Sequence, residues 1–169
     1  MPRKALILDP SQFNLDNVAA DIEEIRENNP QRYEMEQLTA VCYHDIDKHV
    51  IVGYKDVTED EFWVRGHMPG MPLMPGVIMC EAAAQLASFH TRKNKLMEGL
   101  VGFGALSDVR FRGVVRPGDR FVIVVRMLKA KRLMISAEFQ CFVGEEIVCE
   151  GELKGIPLPV DMLTSEEDK

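Results

Sequence analysis

The stretch that decides the fold is residues 66–87, which read GHMPGMPLMPGVIMCEAAAQLA. Its three prolines recur at three-residue spacing. Each fixes its own φ and biases the preceding residue away from helix, so they predict a stiff, extended segment. From Pro75 or Val77 to about Lys95, apolar residues lie nearly all round a helical projection. Such a helix is buried rather than half-exposed.

Strand-like segments surround this helix. We expect strands at residues 37–43 and 50–54 before it, and at 100–107, 109–115, 120–129, 133–143 and 146–155 after it. The pattern predicts an α+β fold in which a curled antiparallel β-sheet wraps around one long central α-helix. Open edges of such a sheet invite pairing with a second copy, so we expect an oligomer.

The chain divides into three parts. Residues 1–29 form an N-terminal extension, in which apolar spacing predicts an amphipathic helix over 16–29, capped by Asn14 or Asp16. Residues 30–158 form the main domain, and residues 159–169 an acidic, flexible tail. No apolar run approaches the ~20 residues of a membrane span.

Charge is unevenly distributed along the 169 residues, whose formal net charge is −7. This balance argues against general nucleic-acid binding. Residues 110–132, however, carry eight basic side chains and one acidic one. We interpret about half of them as solvated strand faces. The others, with Arg110, Arg112 and Arg116 as candidates, are a possible docking surface for an acidic carrier.

The four cysteines form no CxxC pair, and each lies in an apolar stretch: Cys42, Cys80, Cys141 and Cys149. This usage predicts buried, reduced thiols in a cytoplasmic protein. A disulfide scaffold or a zinc site is a poor interpretation. His44, His49 and His90 are interpreted as ordinary hydrogen-bonded residues, since none has acids at metal-ligand spacing.

Acid–base chemistry is the strongest functional indication. A carboxyl such as Glu81 on an apolar helix tends to take up a proton, which it can give to a leaving group. Gln85, one turn further, can orient it, and His67 titrates closest to working pH as a base. A structural Glu–Gln pair and an ordinary loop histidine are the alternatives.

The helix start supplies a third group. The first N–H groups of a helix are unpaired and lie at the positive end of its dipole, so those at Gly76 and Val77 can hold a carbonyl oxygen on which negative charge develops. Alternatively, Gly76 is needed only for packing. Together, these groups describe proton abstraction next to a carbonyl with loss of a β-hydroxyl. The length of the lead-in also makes a site shared between two subunits plausible.

Three motifs resemble the 3-hydroxyacyl-[acyl-carrier-protein] dehydratases of the FabZ type: Gly-His-Met-Pro-Gly at 66–70, Met-Pro-Gly-Val at 74–77 and Glu-Ala-Ala-Ala-Gln at 81–85. The resemblance covers about residues 30–156. It implies a hotdog fold and a homodimer, often assembled as a trimer of dimers. The implied substrate is a (3R)-hydroxyacyl chain on the phosphopantetheine of acyl carrier protein, without metal or redox cofactor.

The resemblance also implies residue roles. His67 is the base, Glu81 from the partner chain acts on the departing hydroxyl, and Gly76 holds the thioester carbonyl. Gln85 supports the acid or a water. The flanking methionines Met68, Met71 and Met74 are candidates for lining the acyl channel.

Rival functions remain at this point. The hotdog scaffold hosts several chemistries, so an acyl-CoA thioesterase or hydratase is the enzymatic alternative. A non-catalytic acyl-carrier-binding subunit is the other. The family's usual Pro-His-Arg-Tyr-Pro-Phe-Leu-Leu segment reads Pro-Gln-Arg-Tyr-Glu-Met-Glu-Gln at 30–37, and Met68 replaces the usual phenylalanine. These departures leave acyl-chain length and pathway open.

Overall fold

The structure, a computed structural model, describes residues 5–159. Its two helices and six strands are, in chain order, α1 (Ile22–Asn28), β1 (Ala40–Asp45), β2 (Val50–Asp56), α2 (Gly76–Lys93), β3 (Leu100–Phe111), β4 (Arg120–Lys131), β5 (Met134–Val143) and β6 (Glu146–Leu158). Short 3₁₀ turns occur at Pro10–Gln12 and Tyr33–Met35.

The strands form one antiparallel sheet in the order β1-β2-β4-β5-β6-β3, and the sheet curls around α2. Successive side chains of β4 point to opposite faces of the sheet, and both faces are buried there. Phe121 and Ile123 belong to the core that surrounds α2, whereas Val122 and Val124 belong to a second core on the outer face. The α+β prediction of a curled sheet around one long helix is confirmed.

Helix α2 fits against the sheet because small residues alternate with large ones. Ala82, Ala83, Leu86 and Phe89 have no exposed surface. Close approach is visible at Gly53, where a Cβ would lie 3.0 Å from the Leu86 side chain. Removing this much apolar surface from water is the main stabilising contribution to the fold.

The N-terminal extension covers the outer face of the sheet. Its apolar side chains, Ile7, Leu8, Phe13 and Leu15, pack on the outer core. Gln140 of β5 fixes the segment by accepting from the Ile7 N–H at 2.8 Å and donating to the Ala5 carbonyl at 3.1 Å. The extension therefore contributes a second hydrophobic layer.

The helix of the extension is shorter than predicted. Residues 16–29 were expected to be helical, but α1 begins at Ile22, and Asp21, rather than Asn14 or Asp16, caps it by accepting from the Glu24 N–H. The reason is a tertiary contact: the Ala19 and Ala20 N–H groups donate to the Val41 carbonyl of β1. This pairing holds the preceding residues extended.

Two further boundaries differ from the prediction. The first expected strand begins at Ala40 rather than at residue 37. The expected strands 100–107 and 109–115 are one strand, β3, with a register shift after Ser107 where Asp108 takes a φ of +51°. A bulge, rather than a turn, interrupts the ladder there. The tail predicted at 159–169 lies outside the described residues from 160 onward.

Strand β3 lies at an edge of the sheet and pairs only with β6 within the described chain. It leaves Phe103, Leu106 and Phe111 about half exposed. A long apolar edge of this kind is a surface for pairing with another strand. Among residues 5–159, no helix has the length and apolar character needed to cross a membrane.

Candidate active site

The lead-in to α2 folds back on itself instead of running extended. The Met71 N–H donates to the Met68 carbonyl at 2.8 Å, and Gly70 takes a φ of +81°, which glycine adopts readily in a tight turn. His67 is fixed at its own end because its N–H donates to the Trp63 carbonyl at 2.7 Å. The predicted extended segment is therefore interrupted by a turn, because Gly70 lies between the prolines and permits the reversal.

The fold-back determines the tautomer of His67. Its Nδ1 lies 2.7 Å from the Leu73 carbonyl oxygen, which can only accept a hydrogen bond. Nδ1 therefore carries the proton, and Nε2 of the neutral ring keeps its lone pair. The ring is part-buried. This is the tautomer that a general base acting through Nε2 requires.

His67 lies in an open cleft of about 350 Å³ at the start of α2. Gly76 and Val77, the first two residues of the helix, line the same cleft, and no hydrogen bond among residues 5–159 uses their N–H groups. These donors lie at the positive end of the helix dipole. The cleft thus combines a base with donors suited to an anionic oxygen.

Phe111 of β3 explains why the helix begins with glycine. A Cβ on Gly76 would lie 2.7 Å from two carbon atoms of the Phe111 ring. That separation is shorter than real Cβ contacts allow. Gly76 therefore lets the ring pack over the helix start, and Phe111 lines the cleft.

Glu81 is held by a network around Gln85. The Gln85 Nε2 donates to Glu81 Oε1 at 2.9 Å and to the Met35 carbonyl at 2.7 Å, while its Oε1 accepts from the Gln37 N–H at 3.0 Å. The Gln85 side chain is 3 % exposed, and its bond to the Gln37 N–H is buried. Both polar atoms of the Gln85 amide are therefore paired, and one of the bonds holds the Glu81 carboxylate.

Glu81 borders a second cavity of about 240 Å³ rather than the His67 cleft. The walls of this cavity come from α2, the first residues of β3, and the ends of β5 and β6 nearest them. Glu81 is five positions after Gly76, and at 3.6 residues per turn the two project ~140° apart. The base and the acid of one chain therefore face different cavities.

The other predicted site residues are spread more widely. Met74 is buried and lines the His67 cleft, whereas Met68 and Met71 are about half exposed and border none of the cavities described above. Met68 takes a φ of +65° beside His67, an uncommon backbone conformation for a side chain of this size. Met79, which was not predicted, also lines the cleft.

The basic candidates differ in their partners. Arg112 pairs with Glu150, which is 2 % exposed. For Arg110 and Arg116, no side-chain hydrogen bond or ion pair is present among residues 5–159. The two unpaired guanidinium groups are the ones available to an anionic partner.

Sequence reasoning missed the residues that hold Gln85. The Gln37 N–H and the Met35 carbonyl come from a segment almost fifty residues away, and Asn29 donates from its side chain to the Gln85 carbonyl at 2.9 Å. No local pattern signals such contacts, because they depend on where the 29–37 segment crosses α2.

Three histidines form a hydrogen-bonded chain at the other end of α2. His90 Nδ1 lies 2.9 Å from His44 Nε2, and His90 Nε2 lies 3.3 Å from His49 Nδ1. Burial, together with the two neighbouring rings, lowers the pKa of His90 to about 4. These contacts agree with the interpretation as hydrogen-bonded residues. Among residues 5–159, no group of three or more His, Cys, Asp or Glu is arranged to hold a metal ion.

Comparisons with known proteins agree with this geometry. The chain is 36% identical over 134 residues to the 3-hydroxyacyl-[acyl-carrier-protein] dehydratase FabZ of Clostridioides difficile, a match covering 79% of this chain and 94% of that protein. It is 40% identical over 131 residues to the FabZ of Pediococcus pentosaceus, covering 77% of this chain and 87% of that protein.

Solved structures extend the likeness to the fold. One chain of the dehydratase heterocomplex ApeI:P from Xenorhabdus doucetiae superimposes with a TM-score of 0.65 at 16% identity, covering 86% of this chain and 97% of that one. At this identity the likeness concerns the fold alone. The FabA-like domain family matches residues 29–152. The chain therefore belongs to the FabA-like domain family.

Proposed function

We propose that this chain catalyses the dehydration of a (3R)-3-hydroxyacyl thioester on acyl carrier protein to the trans-2-enoyl thioester, in fatty-acid or related acyl-chain synthesis. The observation that carries the proposal is the fixed tautomer of His67, whose Nε2 is free to take a proton beside unpaired helix-start donors. The names of the FabZ relatives support the reaction class.

The residues divide the reaction between them. His67 Nε2 removes a proton from C2 of the substrate, and the electron pair moves into the thioester, whose oxygen is held by the Gly76 and Val77 N–H groups. Glu81 gives a proton to the C3 hydroxyl. The C3–O bond breaks, water leaves, and the C2–C3 double bond forms.

Gln85 has a positioning role in this scheme. Because Glu81 Oε1 accepts from Gln85, the Oε2 atom is left for the substrate hydroxyl. The carboxyl group then presents one fixed oxygen rather than rotating between two. The reaction needs no metal or redox cofactor, since proton transfers and an electrostatic donor account for every step.

A dimer completes the site. The two ends of β3 lie at different cavities. Its first residues, 100–103, border the Glu81 cavity, and its last residue, Phe111, borders the His67 cleft. Antiparallel pairing of β3 with a second copy of itself sets the Phe111 end of one strand against the Leu100 end of the other. This arrangement brings the His67 cleft of one protomer to the Glu81 cavity of its partner. A trimer of dimers is the larger assembly that the family resemblance implies.

Carrier docking and location complete the proposal. The unpaired side chains of Arg110 and Arg116 are suited to the acidic surface of a carrier protein, whereas the charge of Arg112 is offset by its pair with Glu150. The four cysteines are free and buried, and burial raises the pKa of Cys42 to about 11. Unreactive, reduced thiols of this kind favour a cytoplasmic location.

Mass spectrometry of purified protein incubated with 3-hydroxyacyl thioesters on carrier protein and on CoA tests the reaction. We expect loss of water from the carrier-bound substrate. Release of free acid instead would identify a thioesterase and overturn the proposal. No conversion of either substrate, where a FabZ enzyme turns over under the same conditions, would point to a binding subunit.

A further inference from the structure

Two polar side chains without hydrogen-bond partners in the described part of the chain line the cavity beside Glu81, among mostly apolar neighbours. Ser88 is 5 % exposed and lines the cavity, and no hydrogen bond among residues 5–159 involves its hydroxyl group. Gln31 lines the same cavity, and its buried Oε1 has no hydrogen-bond partner. Buried polar atoms are nearly always paired, so the unpaired Gln31 Oε1, together with a Ser88 hydroxyl group that lines the same cavity, points to a ligand.

Ser88 lies beyond Glu81 along α2. Ser88 is seven residues beyond Glu81, which places it ~10 Å further along α2 and on nearly the same face of the helix. Asn29 bonds to the Gln85 carbonyl and so fixes the chain just before Gln31 against this part of α2. Gln31 and Ser88 therefore both lie at this part of α2, and both line the cavity.

The remaining walls restrict what the ligand can be. Leu100, Val101, Ile135, Leu153 and Leu158 supply an apolar surface on which a hydrocarbon chain packs. Gln31 Oε1 can only accept a hydrogen bond, whereas the Ser88 hydroxyl both donates and accepts. A hydroxyl group on the chain satisfies both, because its hydrogen is donated to Gln31 and its oxygen accepts from Ser88.

We propose that this cavity takes an acyl chain carrying a hydroxyl group about two helical turns beyond the reacting carbon, held between Ser88 and Gln31. The inference rests on the proposed dehydration, since it assigns the acyl end of that same substrate. Plain alkyl chains would leave both polar atoms buried and unpaired. A site built to bond a hydroxyl group discriminates against the chain that lacks it.

The test uses pairs of 3-hydroxyacyl pantetheine thioesters of equal length, with and without a terminal hydroxyl group, over a series of medium chain lengths. We expect kcat/KM to favour the hydroxylated member by about tenfold or more at the length that reaches Ser88. Ser88→Ala and Gln31→Leu should each remove most of that preference. Ser136→Ala is the matched control, because Ser136 lies on β5 next to Ile135 but on the outer face, and it should keep the preference.

The outcomes separate the two proposals. Equal kcat/KM for both members at every length, with ratios unchanged in Ser88→Ala, would overturn the hydroxyl site and leave dehydration standing. Absence of dehydration for all members, and for a 3-hydroxyacyl chain on carrier protein, would overturn the proposed function and this inference with it. A preference that persists in both variants would also contradict the assignment, since the selecting groups would then lie elsewhere.

Discussion

Replacing Gln85 with alanine tests the network that holds Glu81. The substitution removes three hydrogen bonds and leaves the Gln37 N–H and the Met35 carbonyl without their partner. A buried group that loses its partner costs about 1–3 kcal/mol, so two of them and the lost bond to Glu81, at about 1 kcal/mol, give about 3–7 kcal/mol. Because domains of this size are stable by about 5–15 kcal/mol, the variant should still fold.

Urea denaturation, with activity measured on the same samples, checks this value. Gln12→Ala is the matched control, since the Gln12 amide accepts a hydrogen bond at 3.2 Å from the Asp9 N–H on the surface. We expect Gln12→Ala to change the free energy of unfolding by less than about 1 kcal/mol. Gln85→Ala should also lower kcat, because Glu81 loses its orienting donor. A loss of stability no larger than that of the control would refute the reasoning.

Three further predictions concern pH, the helix start and docking. Folding lowers the pKa of His90 from 6.5 to about 4, so the free energy of unfolding that is present above pH 6.5 is lost as the pH falls towards 4. Denaturation at several pH values should show this loss to be about 3 kcal/mol larger in the wild-type protein than in His90→Gln. Gly76→Ala keeps the N–H donor but places a Cβ 2.7 Å from the Phe111 ring, so it should displace the helix start and lower kcat about tenfold or more, whereas Gly66→Ala, whose Cβ meets no atom within 4 Å, should not; equal rates would show that close packing of Phe111 on the helix start is not required. Arg110→Glu combined with Arg116→Glu should raise KM for carrier-bound substrate more than for a pantetheine thioester, and equal effects would exclude docking there.

The central helix and its start could be predicted because their signals are local. A proline followed by glycine and an almost entirely apolar run specifies a buried helix whatever surrounds it. The predicted helix start at Pro75 or Val77 brackets the observed start at Gly76. The candidate site residues His67, Gly76 and Glu81 followed from the same stretch, since their chemistry depends on residue type and spacing.

Features that depend on distant contacts could not be predicted. The pairing of Ala20 with Val41 shortens α1, and nothing in the sequence around residue 20 indicates which strand it meets. The network at Gln85 likewise joins segments almost fifty residues apart. The reversal between Met68 and Met71 was local, but proline stiffness and glycine freedom favour opposite outcomes there, and only the bond to Leu73 decides between them.

A complementation experiment with two inactive variants tests the central claim most directly. His67→Ala and Glu81→Gln protomers are unfolded together, refolded, and assayed for dehydration, with native mass spectrometry to prove mixing. In a shared site, each mixed dimer has one intact pair of catalytic residues, so about a quarter of the wild-type activity should return. No recovered activity, despite mixed dimers in the expected proportion, would contradict a site built from two protomers.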